Sequence, residues 1–172
     1  MATHPVRLFG DPVLKLPARE VEDLNGSLVG LAESMYETMY EALGLGLAAP
    51  QIGIQRRIFT YDVGEGPHVI VNPEIVESSG EWVYNEGCLS VPGVNFEIVR
   101  PKLVTLRGLG LDGNEVEIEA DEVLARLFQH EIDHLNGVLL LDRLEPDESK
   151  RALRTLRDRD LAAVPRGAGP AL

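Results

Sequence analysis

Between residues 28 and 39 the apolar residues Leu28, Leu31, Met35 and Met39 recur every three or four positions, the spacing of one face of an α-helix. Asn25 or Asp23 stands in front as a cap and Gly44 behind as a stop, so the pattern predicts a helix running through Leu43 with this stripe in the core. From Arg56 to Ile118 the period shortens. Apolar and β-branched residues gather there in the runs RIFTYDV, HVIVNPEIVES, EWVYN, KLVTLRGL and EVEIEA, divided by turn-forming stretches such as GEGP and LDGNE. This punctuation predicts antiparallel strand pairing. Helical spacing returns after Asp121, a predicted cap, with Val123, Leu124 and Leu127, and Pro146 opens a last helix before a frayed VPRGAGPAL tail. The predicted fold is α+β: antiparallel β-sheets packed around the central helix that follows Asp121, with a C-terminal helix.

Composition bounds the class. The 172 residues, 44% hydrophobic and 26% charged, can bury one good core. One domain over residues 1–164 is expected, with 165–172 as a disordered tail. No apolar stretch approaches the roughly 20 residues of a membrane span, and the opening MATHPVRLFGDPVLK lacks the features of a targeting peptide. No membrane partner is expected. A net charge of -12 makes the molecule a poor polyanion binder, which argues against DNA and confines any RNA contact to a local patch.

The chemistry concentrates in QHEIDHLNG at 129–137, where His130, Glu131 and His134 form an HExxH frame. Residues four apart share a helix face, so both imidazoles can reach one metal ion, with Glu131 beside it as a general base toward a metal-bound water. A third ligand decides the class. Leu140 occupies the position where a metzincin needs histidine, which excludes that family. His4 and His68 sit next to prolines in loop-like contexts and are expected at the surface. A distal carboxylate remains an alternative on spacing, from Glu145, Asp147 or Glu148. The softer candidate is Cys88 in EGCLS at 86–90, the chain's one cysteine. A thiolate with two imidazoles leaves a fourth position open, as catalytic sites require. A lone cysteine forms no internal disulfide, and a thiolate ligand persists best in a reducing compartment, so a cytoplasmic location is expected. Leu127, three residues before His130, falls on the same side of the helix and is a candidate pocket wall, though core packing also explains it.

GLGLAAPQIG at 44–53, EGCLS at 86–90 and QHEIDHLNG at 129–137, in this order, resemble the three motifs of the peptide deformylase family, and GDPVL at 10–14 extends the resemblance. The resemblance implies hydrolysis of the formyl group from the N-terminal formylmethionine of nascent chains, with Cys88, His130 and His134 as metal ligands and Glu131 as general base. It further implies that the Gln51 side chain and the Leu89 backbone N–H stabilise the oxyanion. The substrate would lie as an added strand along Leu45, Gly46 and Gly87, with Leu127 walling the methionine pocket. One divalent ion is implied, Fe²⁺ in the cell by resemblance, with Zn²⁺, Ni²⁺ or Co²⁺ also suited to sulfur and nitrogen ligands. Where many relatives carry an arginine that helps bind substrate, this chain has Asn95 followed by Phe96, whereas Arg100 is retained and can pair with Glu86 to hold the ligand segment.

Two other readings compete. One is a different metal-dependent amidase or peptidase at the same site; the other is a silent, metal-stabilised binding module, which would have no use for Gln51, Cys88 and Glu131 together. In the last helix Lys150, Arg154 and Arg157 form a positive stripe at i, i+4 and i+7. The bland reading is a solvated face; resemblance to deformylases that dock through a C-terminal helix implies a contact with ribosomal RNA.

Overall fold

The computed structural model describes residues 2–160. The expected tail at 165–172 and residues 161–164 of the expected domain lie outside the described residues. Helix α1 (Gly26–Glu41) opens on Asn25, whose side chain accepts from the Ser27 N–H, so Asn25 rather than Asp23 is the cap. Leu28, Leu31, Met35 and Met39 are all buried on it, as their spacing predicts. The helix ends before Leu43. Leu43 itself takes the left-handed conformation, φ 58°, and the Leu43 and Gly44 N–H groups close back on the carbonyls of Tyr40 and Met39. That pattern is a Schellman ending with a leucine where glycine is usual. Gly44 is needed for space instead: a Cβ there would lie 2.7 Å from the Leu89 side chain.

Among the described residues seven strands follow: β1 (Gly46–Ala48), β2 (Ile58–Tyr61), β3 (His68–Ser79), β4 (Trp82–Cys88), β5 (Val91–Arg100), β6 (Leu103–Leu109) and β7 (Glu115–Asp121). All pairings between them are antiparallel, in a five-stranded sheet of order β1-β2-β3-β6-β7 and a separate β4-β5 hairpin inserted between β3 and β6. Strands β1 and β5 carry no legible run. The first is short, and the second begins Val-Pro-Gly, which has the look of a turn.

Helix α2 (Glu122–Leu135) lies against the large sheet and is buried on nearly every side from Ala125 onward. Asp121 occupies its cap position, but its side chain makes no capping hydrogen bond; the Glu122 N–H instead donates to the Lys102 carbonyl. At the other end Ala18 N–H and Arg57 Nη1 both donate to the Leu135 carbonyl, which satisfies a helix terminus that would otherwise be left bare. Gly137 then turns the chain at φ 73°, where a Cβ would lie 2.6 Å from the Lys15 carbonyl oxygen. The N-terminal segment therefore clamps this end of α2. Helix α3 (Pro146–Asp160) begins at the expected proline and packs Ala152, Leu153 and Leu156 into a cluster with Cys88, Val91, Ile98, Leu140 and Leu141. The architecture is the expected α+β arrangement around a central helix. Among the described residues no helix is long and apolar enough to cross a membrane.

Candidate metal centre

His130 and His134 lie one helical turn apart on α2, their rings edge to face with centroids 4.8 Å apart. Their Nε2 atoms approach to 3.2 Å, and Cys88 Sγ, at the last position of β4, stands 3.3 Å from His134 Nε2. Ligands about 2.0–2.3 Å from one tetrahedral ion keep roughly 3.3–3.6 Å from each other. All three atoms fall within 4.8 Å of one another and all three residues are buried. Burial opposes charge on His130, yet the Cys88 sulfur and then Glu86 outweigh it and hold that imidazole's pKa well above the usual value. Burial and the neighbouring His130 push His134 well below it. The cluster's sulfur–nitrogen–nitrogen set fits a single metal ion. His4 is half-buried, with its backbone bonded to Thr38, and His68 is exposed and stacked on Tyr61; neither joins the cluster, nor does any of Glu145, Asp147 and Glu148.

The support behind the ligands is ionic and buried. Glu86 Oε1 is 2.6 Å from His130 Nδ1, which leaves Nε2 facing the cluster, the usual outer-shell arrangement of a metal-binding histidine. Arg100 grips the same carboxylate through Nε at 3.0 Å and Nη2 at 2.6 Å and reaches Asp133 Oδ2 at 2.7 Å. Arg126 Nη1 adds a bond to Glu86 Oε2 at 3.2 Å, and Arg143 holds the far side of Asp133. Burial alone would raise the Glu86 pKa; His130 and Arg100 overcome this and hold it well below the carboxylate range. The expected Arg100–Glu86 pair is therefore an interior bridge and not a surface one. Arg126, Asp133 and Arg143 carry no distinguishing spacing in the sequence.

Glu131, next to His130 on α2, is fully buried, and neither carboxylate oxygen has a hydrogen-bond partner among the described residues. Burial, with help from Glu86 and against the pull of His130, raises its pKa to about 7. Gly46 is what makes room for it: a Cβ on Gly46 would fall 2.5 Å from Glu131 Oε1. Gln51 sits in a 3-10 turn at Ala49–Ile52 and is fully buried. Its Oε1 accepts from the Ala48 N–H at 2.8 Å, which turns Nε2 toward Ser90 Oγ at 3.2 Å and Cys88 Sγ at 3.9 Å. Leu89 lies in the turn joining β4 to β5. Leu45 and Gly46 border the open edge of the large sheet, where β1 has β2 on one side only. Gly87 pairs with Asn95 across the hairpin. Leu127 is buried in the main core cluster with Phe59 and Phe128. Ser90, buried and bonded to Gln51, has no signal in the sequence beyond its place in EGCLS.

A family model described as polypeptide deformylase matches residues 3–150. The chain belongs to that family. A peptide deformylase of Agathobacter rectalis is 53% identical over 145 residues, which cover 84% of this chain and 92% of the relative. A crystal structure of a peptide deformylase from Legionella pneumophila superposes with a TM-score of 0.88 at 43% identity, covering 95% of this chain and 100% of the other. A deformylase from Ehrlichia chaffeensis in complex with actinonin gives a TM-score of 0.88 at 38% identity over 95% and 100% of the two chains. The molecule is accordingly an enzyme of the deformylase family, which removes the formyl group from the N-terminus of formylated nascent peptides.

Proposed function

We propose that Cys88, His130 and His134 hold one divalent metal ion and that Glu131, Gln51 and Leu89 carry out deformylation beside it. The observation that carries this reading is a buried Cys–His–His cluster with a fixed amide 3.9 Å from Cys88 Sγ and, adjacent to His130 on α2 and under its electrostatic influence, a buried, partnerless carboxylate. When bound, the ion supplies Lewis acidity toward water and toward the formyl oxygen. Glu131 takes a proton from the attacking water and returns it to the amine nitrogen as the carbon–nitrogen bond breaks, releasing formate. The oxygen that gains negative charge is met by Gln51 Nε2, whose orientation Ala48 holds, and by the Leu89 N–H. Glu86 keeps His130 turned, with Arg100 and Arg126 behind it.

The formylmethionyl peptide enters as an added strand on the free edge of β1, past Leu45 and Gly46, with Gly87 on the opposite wall and Leu127 behind the methionine side chain. Main-chain bonding of this kind tolerates varied downstream side chains. The ion in the cell is Fe²⁺, with Zn²⁺, Ni²⁺ and Co²⁺ as able substitutes, since one thiolate and two imidazoles bind all of them. The protein acts in the cytoplasm as one domain over residues 1–164.

The deciding experiment measures formate release from a formyl-Met peptide beside its acetyl and unmodified counterparts. Only the formyl peptide is expected to react, and replacing Glu131→Ala lowers turnover by about 10²-fold or more while the metal stays bound. Cys88→Ala loses the metal. Cleavage of internal peptide bonds instead of formate release would overturn the assignment. Activity that fades in air and is preserved by reductant or by Ni²⁺ supports the iron assignment; full, air-stable activity in protein holding only Zn²⁺ contradicts it.

A further inference from the structure

Helix α3 leaves a cleft of about 430 Å³ against the β4–β5 hairpin, with Gly93, Asn95 and Phe96 on one wall and Glu148, Arg151 and Arg159 on the other. Two features tie this cleft to the metal centre. Asn95 is in register with Gly87, and its Oδ1 lies 2.6 Å from the place a Gly87 Cβ would take; Gly87 immediately precedes Cys88. Arg159 Nη1 donates to the Gly93 carbonyl, so the helix is tethered to the same hairpin. The cleft thus opens one strand spacing, about 5 Å, from the wall along which the peptide runs. On the proposed path, residues that follow the first one past Gly87 come within reach of Asn95, one strand over.

The charge of the cleft is unlike that of the molecule. Two guanidiniums face one carboxylate, on a chain of net charge -12. Arg151 is exposed, and its side chain has no ion-pair partner among the described residues. A guanidinium presents a fork of donors that matches a carboxylate. We infer that the cleft is a subsite for the downstream residues of the nascent peptide and favours acidic side chains there. The inference rests on the substrate path set out under the proposed function.

Its test compares kcat/KM at low salt for formyl-Met-Ala-Asp-Asp, formyl-Met-Ala-Ser-Ser and formyl-Met-Ala-Lys-Lys, with formyl-Met-Ala as a substrate too short to reach the cleft. An exposed ion pair is worth about twofold to fivefold in affinity. The acidic peptide is therefore expected to exceed the basic one by at least about twofold in the unaltered enzyme, chiefly through KM, with the ratio shrinking as salt rises. Arg151→Glu is expected to bring that ratio to one or below. Arg151→Gln is the milder variant and gives an intermediate ratio. Equal values for the three long peptides at low salt, or a ratio that Arg151→Glu leaves unchanged, would overturn the inference. Failure of the unaltered, metal-loaded enzyme to deformylate formyl-Met-Ala would instead strike at the metal-centre reading, so the two failures are told apart.

Discussion

Glu131 combines complete burial with two carboxylate oxygens that have no partner among the described residues, a costly arrangement for an anion. Its pKa of about 7 expresses that cost, set chiefly by burial and then by the tension between Glu86 and His130. In metal-free protein the folded state therefore holds a proton on Glu131 at pH values where the unfolded chain, near 4.5, has lost it. The stability this contributes is full below about pH 4.5 and is lost as pH rises through about 7. Glu131→Gln keeps the shape without the charge. Urea titrations of chelator-treated protein should show the variant matching the parent at low pH and exceeding it above pH 7 by an amount on the order of 3 kcal/mol. A difference independent of pH would refute the burial account. A bound cation favours the carboxylate, so in loaded enzyme the acid limb of the pH–rate profile should lie below this value. At this scale the sequence was legible only where spacing carries geometry: the HExxH frame announces the two imidazoles and Glu131, whereas Gln51, which follows a proline in a loop, depends on its motif and Ser90 on the folded chain.

Elements were legible where one face is buried and polar residues mark the other. The stripe on α1, the runs of β2, β3, β4, β6 and β7 and the proline start of α3 all follow from periodicity and punctuation. The end of α1 does not, because Gly44 is kept for its closeness to Leu89 while Leu43 takes the left-handed residue's place. Leu43 is 78% exposed, so little packing is lost with its side chain. Leu43→Gly should relieve about 1 kcal/mol of backbone strain. That appears as a rise of about 2–4 °C in Tm, and an unchanged or lower Tm would sink the argument. The bridge from α2 to the β4–β5 hairpin was legible only in its Glu86–Arg100 pair, since Arg126, Asp133 and Arg143 look like ordinary surface charges until the chain is folded. Glu86→Gln would leave Arg100 and Arg126 facing a neutral amide and free His130 to turn. The expected result is metal affinity lowered about 10- to 100-fold, together with lower stability. Competition with a chromogenic chelator measures the first directly, and unaltered affinity would remove Glu86 from its positioning role.

On the scale of the whole molecule, charge is divided between the two sides of α3. One side packs Ala152, Leu153 and Leu156 against the Cys88 cluster, with Arg151 and Arg159 at the hairpin cleft. Lys150, Arg154 and Arg157 are exposed on the other, and the one ion pair they make among the described residues, Lys150 with Asp147, is long at 3.9 Å. A positive stripe facing solvent on a molecule of charge -12 suits a local contact with phosphates, and we propose that it meets ribosomal RNA, where the formylated substrate emerges. Three phosphate contacts would make log K fall by roughly 2–3 for each unit of log salt. Replacing Lys150, Arg154 and Arg157 with Glu should abolish co-sedimentation with ribosomes at low salt. The packing face and the metal centre are untouched by these changes, so formate release from formyl-Met-Ala should persist. Sedimentation that survives the triple replacement would leave the stripe as a solvated helix face, and loss of peptide activity along with sedimentation would show that α3 had come away from the cluster that buries Cys88.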